Sequence, residues 1–172
     1  MKDGHTAELA TRCHVLLLER GETVATAESL TGGLLGAAFT AKAGASSVYR
    51  GGVVAYASEL KCRLLDVPET VLRTHGLVHP ETALAMAAGA WRRLGATYGL
   101  ATTGVAGPEP HGGRPVGTVL LACAGVGGVE ELREVRLSGE REEIRRRAVD
   151  AALELFHTVL SGQNRRDRKS VV

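Results

Sequence analysis

Ser29 stands in the stretch Ala27-Glu28-Ser29-Leu30-Thr31-Gly32-Gly33. A short β-branched run, Thr23-Val24-Ala25-Thr26, precedes it, and a helical pattern, Leu34-Leu35-Gly36-Ala37-Ala38-Phe39-Thr40, follows it. Strand, tight turn and helix in that order put the Ser29 hydroxyl at the carboxyl end of a strand, where open α/β sheets bind ligands. The N–H groups around Thr31, Gly32 and Gly33 are then expected to face whatever lies beside Ser29. A hydroxyl beside unpaired donors suits a nucleophile next to an oxyanion site. The competing role for Ser29 or Thr31 is a plain helix cap.

A second stretch supplies a base. In Gly52-Val53-Val54-Ala55-Tyr56-Ala57-Ser58-Glu59-Leu60-Lys61, Tyr56 ends a strand. Ser58 is expected to cap a helix whose third residue is Lys61, where a capping box carries Glu or Gln. A cation in a helix's first turn opposes the macrodipole, and that field together with burial lowers a lysine pKa. A lysine made partly neutral is a competent base for a serine hydroxyl. The alternatives are a solvated lysine and a tyrosine that merely packs. Glu28 is placed to accept a hydrogen bond from the site or to orient Lys61.

A third stretch, Thr102-Thr103-Gly104-Val105-Ala106-Gly107-Pro108, is a Gly-containing loop after a strand. Its backbone N–H groups suit an anion-binding concavity at Thr103, Gly104 and Gly107. It carries neither the dinucleotide fingerprint nor the P-loop signature. His75 and His79 are four residues apart, but Gly76 and Pro80 argue against a shared helical face, so no metal site is expected. Cys62 reads as a small hydrophobe rather than a nucleophile.

The elements that position these residues follow from periodicity. Residues 7–19 have helical spacing. Strands are expected near residues 23–26, 48–57 and 98–102, with Gly51-Gly52 marking a bulge or close backbone approach. Helices are expected at 34–42, 58–65 and 69–75, and from Pro80 to about residue 94, the last burying Leu84, Ala87, Ala88, Trp91 and Leu94. Residues 116–124 and 129–137 form a hairpin, and 140–160 a final helix with mixed charge outside. Early alternation closed by a hairpin predicts a three-layer α/β/α sandwich with a mixed β-sheet. Residues 1–160 are expected to form one domain, and 161–172 a basic, disordered tail.

Composition narrows the classes. The chain has 172 residues, 44% hydrophobic but only 3% aromatic, so its core must be built of Leu, Val and Ala. A net charge of +2 is too small to argue for a nucleic-acid partner. No apolar run approaches a membrane span, and no signal pattern is present. Cys13, Cys62 and Cys123 are odd in number and widely spaced, as expected of reduced thiols in a cytoplasmic protein.

Taken together with Pro115-Val116-Gly117-Thr118-Val119, these three stretches resemble the CinA C-terminal domain family over roughly residues 5–160. The larger CinA proteins carry an additional N-terminal domain, to which nothing here corresponds. The resemblance implies nicotinamide-nucleotide amidohydrolase activity: nicotinamide mononucleotide and water give nicotinate mononucleotide and ammonia, in pyridine nucleotide salvage. It implies Ser29 as nucleophile, Lys61 as base and Tyr56 as an assisting hydroxyl, with no cofactor or metal. The 103–107 loop would hold the phosphate or ribose, with Arg50 or Arg114 as a nearby cation. A homodimer is kept among the expectations. The sequence departs from the family pattern at Leu30, where Cys is frequent, and at Glu109-Pro110-His111, where the family is Gly-rich. The rival reading is a catalytically inactive nucleotide-binding or competence-associated interaction module.

Overall fold

The computed structural model describes residues 3–167. Five strands form one mixed sheet in the order β2-β1-β3-β4-β5. They are β1 (Val24–Glu28), β2 (Tyr49–Val54), β3 (Tyr98–Gly104), β4 (Thr118–Gly125) and β5 (Val129–Arg136). β1 is parallel to both β2 and β3, whereas β3–β4 and β4–β5 are antiparallel. The helices are α1 (Asp3–Arg20), α2 (Leu34–Thr40), α3 (Ser58–Leu65), α4 (Glu69–His75), α5 (Pro80–Leu94) and α6 (Arg141–Asp167). α1, α2 and α6 cover one face of the sheet around Leu17, Leu100, Leu121 and Phe156. α3, α4 and α5 cover the other around Leu65, Met86, Ala101 and Leu120. The expected three-layer α/β/α architecture is the one observed.

β1 is buried along its whole length, so both faces of this inner strand are covered by packing, without the alternation of a half-exposed strand. Its pairing also sets where the site lies. Glu28, the last residue of β1, is level with Val54 of β2 and Thr102 of β3. The chain therefore leaves three adjacent parallel positions along one sheet edge, at Ser29, at Ala55-Tyr56 and just past Thr102. The register slips between Val24 and Ala25, opposite Arg50, which is the irregularity that Gly51-Gly52 announced.

Some boundaries and faces differ from expectation. α3 begins at Ser58 with Ala57 in the cap position, so Ser58 makes no side-chain cap and Lys61 is the fourth helical residue. β3 runs on through Thr103 and Gly104. α6 continues to Asp167 instead of stopping near residue 160, and the part of the expected tail at 168–172 lies outside the described residues. On α5 the buried stripe is Thr82, Ala83, Met86, Ala87, Gly89 and Ala90, with Leu84, Ala88, Trp91 and Leu94 only partly buried at its margin. Close approach explains the shift: a Cβ on Gly99 of β3 would lie 1.9 Å from the Ala87 carbonyl, so only small residues fit between helix and sheet.

Gly89 does the same for α3, since a Cβ there would lie 1.9 Å from the Leu65 carbonyl. The obstruction is backbone and cannot rotate away. Gly89→Ala is expected to destabilise the protein by about 1–3 kcal/mol through overpacking, measured by thermal or urea unfolding.

Candidate active site

Ser29 sits where β1 turns toward α2. Its N–H donates to the Thr102 carbonyl at 3.0 Å, and its carbonyl accepts from the Gly32 N–H at 3.1 Å. The hydroxyl opens into a cleft of about 420 Å³ lined by Tyr56, Lys61, the 103–111 segment and Arg141. That volume lies within the range of small-molecule sites. A larger groove, about 670 Å³, lies between α1, α2 and α6, but neither Ser29 nor Lys61 borders it.

Lys61 projects from the first turn of α3 and is 1% exposed. Its Nζ donates to the Ala55 carbonyl at 2.7 Å and lies 3.4 Å from Ser29 Oγ. Burial penalises the ammonium form and lowers its pKa below the ordinary lysine range. A desolvated amine within reach of a serine hydroxyl is able to accept its proton, at a separation that is long in the resting state as such contacts often are.

Glu28 has a different role from the one expected. The residue is 2% exposed and borders neither Lys61 nor the cleft. It accepts from Thr31 Oγ1 at 2.7 Å and from the N–H groups of Gly33, Leu35 and Gly36 at 2.8–3.0 Å. It thus caps α2 from the preceding strand, where its charge also complements the macrodipole. Two consequences correct the expected oxyanion donors. The Gly33 N–H is taken by Glu28, and the Gly32 N–H by the Ser29 carbonyl. Thr31 is fully buried, its hydroxyl shared between Glu28 and Thr102 Oγ1 at 2.7 Å each, so it cannot touch a ligand.

Tyr56 is 57% exposed and borders the cleft. Its hydroxyl accepts from Arg141 Nη2 at 2.8 Å and is bonded to neither Ser29 nor Lys61. Arg141 Nη1 also donates to the Gly107 carbonyl at 2.6 Å, so one guanidinium spans both walls of the cleft. Thr103 and Gly104 lie on β3 at the cleft, with Thr103 Oγ1 donating to the Leu77 carbonyl at 2.8 Å. Gly107 has φ 88°, and a Cβ there would lie 2.8 Å from Val116 Cγ1. Arg50 and Arg114 stay outside: Arg50 bonds the Leu94 carbonyl, and Arg114 pairs with Glu134. The cation at the cleft is Arg141, which the sequence reading missed. Its signal was present, because Arg141 is a positive charge at a helix start, the same anomaly that singled out Lys61.

The other candidates go elsewhere. The rings of His75 and His79 stack at 4.3 Å, and His79 Nδ1 accepts from the Glu81 N–H as the cap of α5. Cys13 and Cys123 are buried, which pushes both thiols up to about 12 and leaves them inert. Among the described residues no helix is long and apolar enough to cross a membrane.

Fold and site together define an α/β domain that sets a serine against a buried lysine at the carboxyl edge of its parallel strands. The CinA C-terminal domain family model matches residues 6–160, and the chain belongs to that family. It is 52% identical over 147 residues to a CinA-like protein of Frankia casuarinae, covering 86% of this chain and 34% of that one. It is 47% identical over 148 residues to a putative competence-damage inducible protein of Desulforamulus reducens, covering 86% and 36%. The chain thus spans about a third of the length of these relatives. Solved structures match almost end to end. A CinA superfamily protein from Klebsiella pneumoniae superimposes with TM-score 0.88 at 35% identity, over 91% of this chain and 98% of that one. The competence/damage inducible protein CihA from Agrobacterium tumefaciens gives 0.87 at 40%, over 91% and 96%.

Two substitutions separate architecture from chemistry. Glu28→Gln exchanges an acceptor oxygen for an amide that faces other donors, and is expected to cost about 2–4 kcal/mol in urea unfolding. Lys61→Met replaces a buried ionisable amine with an apolar side chain of similar length, so it is expected to raise the melting temperature in thermal unfolding.

Proposed function

We propose that the protein is an amidohydrolase that deamidates nicotinamide mononucleotide to nicotinate mononucleotide and ammonia. The observation that carries this reading is the buried Lys61 amine, 3.4 Å from Ser29 Oγ, with no carboxylate paired to it among the described residues. Neutral Lys61 takes the Ser29 proton as Oγ bonds to the carboxamide carbon. The C–N bond then breaks, and Lys61 returns the proton to the departing ammonia. Water, activated by the same amine, hydrolyses the acyl ester and restores Ser29. Tyr56, held by Arg141, borders the substrate rather than relaying the proton. The anionic end of the nucleotide suits Arg141 and the N–H groups of Ala106 and Gly107, which among the described residues have no acceptor. Family membership supports the fold, and the Ser29–Lys61 geometry supports the chemistry.

Ammonia release from nicotinamide mononucleotide by the purified chain tests this directly. Ser29→Ala and Lys61→Ala are each expected to lower kcat by about 10³-fold or more, as removal of one member of a nucleophile–base unit does. Binding of the nucleotide without turnover in the folded parent would favour the inactive binding module instead. The pH profile has a fixed sign. Below the depressed Lys61 pKa the amine is protonated and cannot accept, so kcat/KM rises with pH through a value under 10.5. A rate that fell across that range would exclude Lys61 as the base.

A further inference from the structure

α6 reaches the surroundings of Ser29 twice. Arg141 reaches its rim, and Arg145, one turn later, reaches the backbone that follows Ser29. Arg145 is half-buried, with Nε donating to the Leu30 carbonyl at 2.9 Å and Nη2 to the Thr31 carbonyl at 3.3 Å. The turn is shaped to admit it: Gly32 takes a left-handed φ of 57°, and a Cβ there would crowd Arg145 Nη2 at 3.1 Å.

A trans peptide points its N–H opposite to its carbonyl, so holding one fixes the other. The Ser29 carbonyl is held by the Gly32 N–H, the Leu30 carbonyl by Arg145, and the Thr31 carbonyl by Arg145 together with the Leu34 N–H at 3.1 Å. All three successive peptide planes after the nucleophile are therefore set. Among the described residues the Leu30 N–H is left without an acceptor, and Leu30 lines the cleft beside Ser29. An N–H on the residue after a nucleophile is well placed to receive an oxyanion.

We propose that Arg145 is a positioning residue for the nucleophile turn: by gripping the Leu30 and Thr31 carbonyls it fixes the peptide planes on either side of Thr31, the second of which carries the Gly32 N–H that holds the Ser29 carbonyl and so presents the Leu30 N–H as the oxyanion donor beside Ser29. This rests on Ser29 being the nucleophile. The turn does not need Arg145 in order to fold. Glu28 already holds the start of α2, and the Thr102 carbonyl already holds the Ser29 N–H. What the guanidinium adds is orientation.

The test uses Arg145→Ala and Arg145→Lys in the full chain, with folding checked by circular dichroism and melting. Two rates are read: ammonia release from nicotinamide mononucleotide, and modification of Ser29 by a fluorophosphonate followed by intact mass. In Arg145→Ala both kcat and the Ser29 modification rate are expected to fall about 100-fold with KM changed less than about threefold, the range for loss of one oxyanion donor. Arg145→Lys, which reaches one carbonyl instead of two, is expected to lose about tenfold, and millimolar guanidinium to restore part of the alanine variant's rate. Rates within about threefold of the parent, or a loss that follows the folded fraction, would overturn the proposal. If the parent modifies at Ser29 but releases no ammonia, the substrate assignment fails and the modification rates alone decide Arg145. An unreactive Ser29 in the folded parent overturns both.

Discussion

Glu28 is almost completely buried, and its carboxyl group is tolerated there because four donors converge on it. An uncompensated carboxylate at that depth would cost several kcal/mol. Here it supplies the acceptors that the first turn of α2 otherwise lacks. Since Glu28 ends β1 and α2 begins six residues later, this contact joins strand to helix and leaves the intervening turn little freedom. Ser29 is the first residue of that turn. Ser29 is therefore held by a buried polar network set back from the cleft, with Thr31 and Thr102 completing it.

Packing behind this network explains the burial of Lys61. Lys61 is buried because α3 is drawn close against α5, where Gly89 admits the Leu65 carbonyl. Desolvation works against stability and in favour of chemistry: it penalises the ammonium and yields an amine able to accept a proton. The Ala55 carbonyl, from the chain leaving β2, points the amine at the site through a 2.7 Å bond. Parallel pairing of β1 with its two neighbours is the common cause, because it releases the serine, that carbonyl and the 103–107 loop at one edge.

Much of this was legible in the chain. The strand–turn–helix around Ser29, the β2 irregularity at Gly51-Gly52 and the 129–136 hairpin strand were all written in local periodicity and glycine placement. Less legible were features set by packing between distant segments. The buried face of α5 followed the smallest residues, not the largest, because Gly99 and Ala87 approach backbone to backbone. Ser58 read as a cap from its residue type, yet Ala57 holds that position.

The sequence by itself determined the architecture and two candidate chemical groups, Ser29 and Lys61, since residue type, spacing and helix-end electrostatics are local properties. Only the tertiary structure decided which groups meet. It turned Glu28 and Thr31 inward, took the Gly32 and Gly33 N–H groups out of reach, and left the Leu30 N–H without an acceptor among the described residues. It also brought Arg141 and Arg145 to the site from more than 110 residues along the chain, while Arg50 and Arg114 stayed outside. Hydrogen-bond saturation and long-range contact depend on where every other donor and acceptor has gone, which no single stretch of chain records.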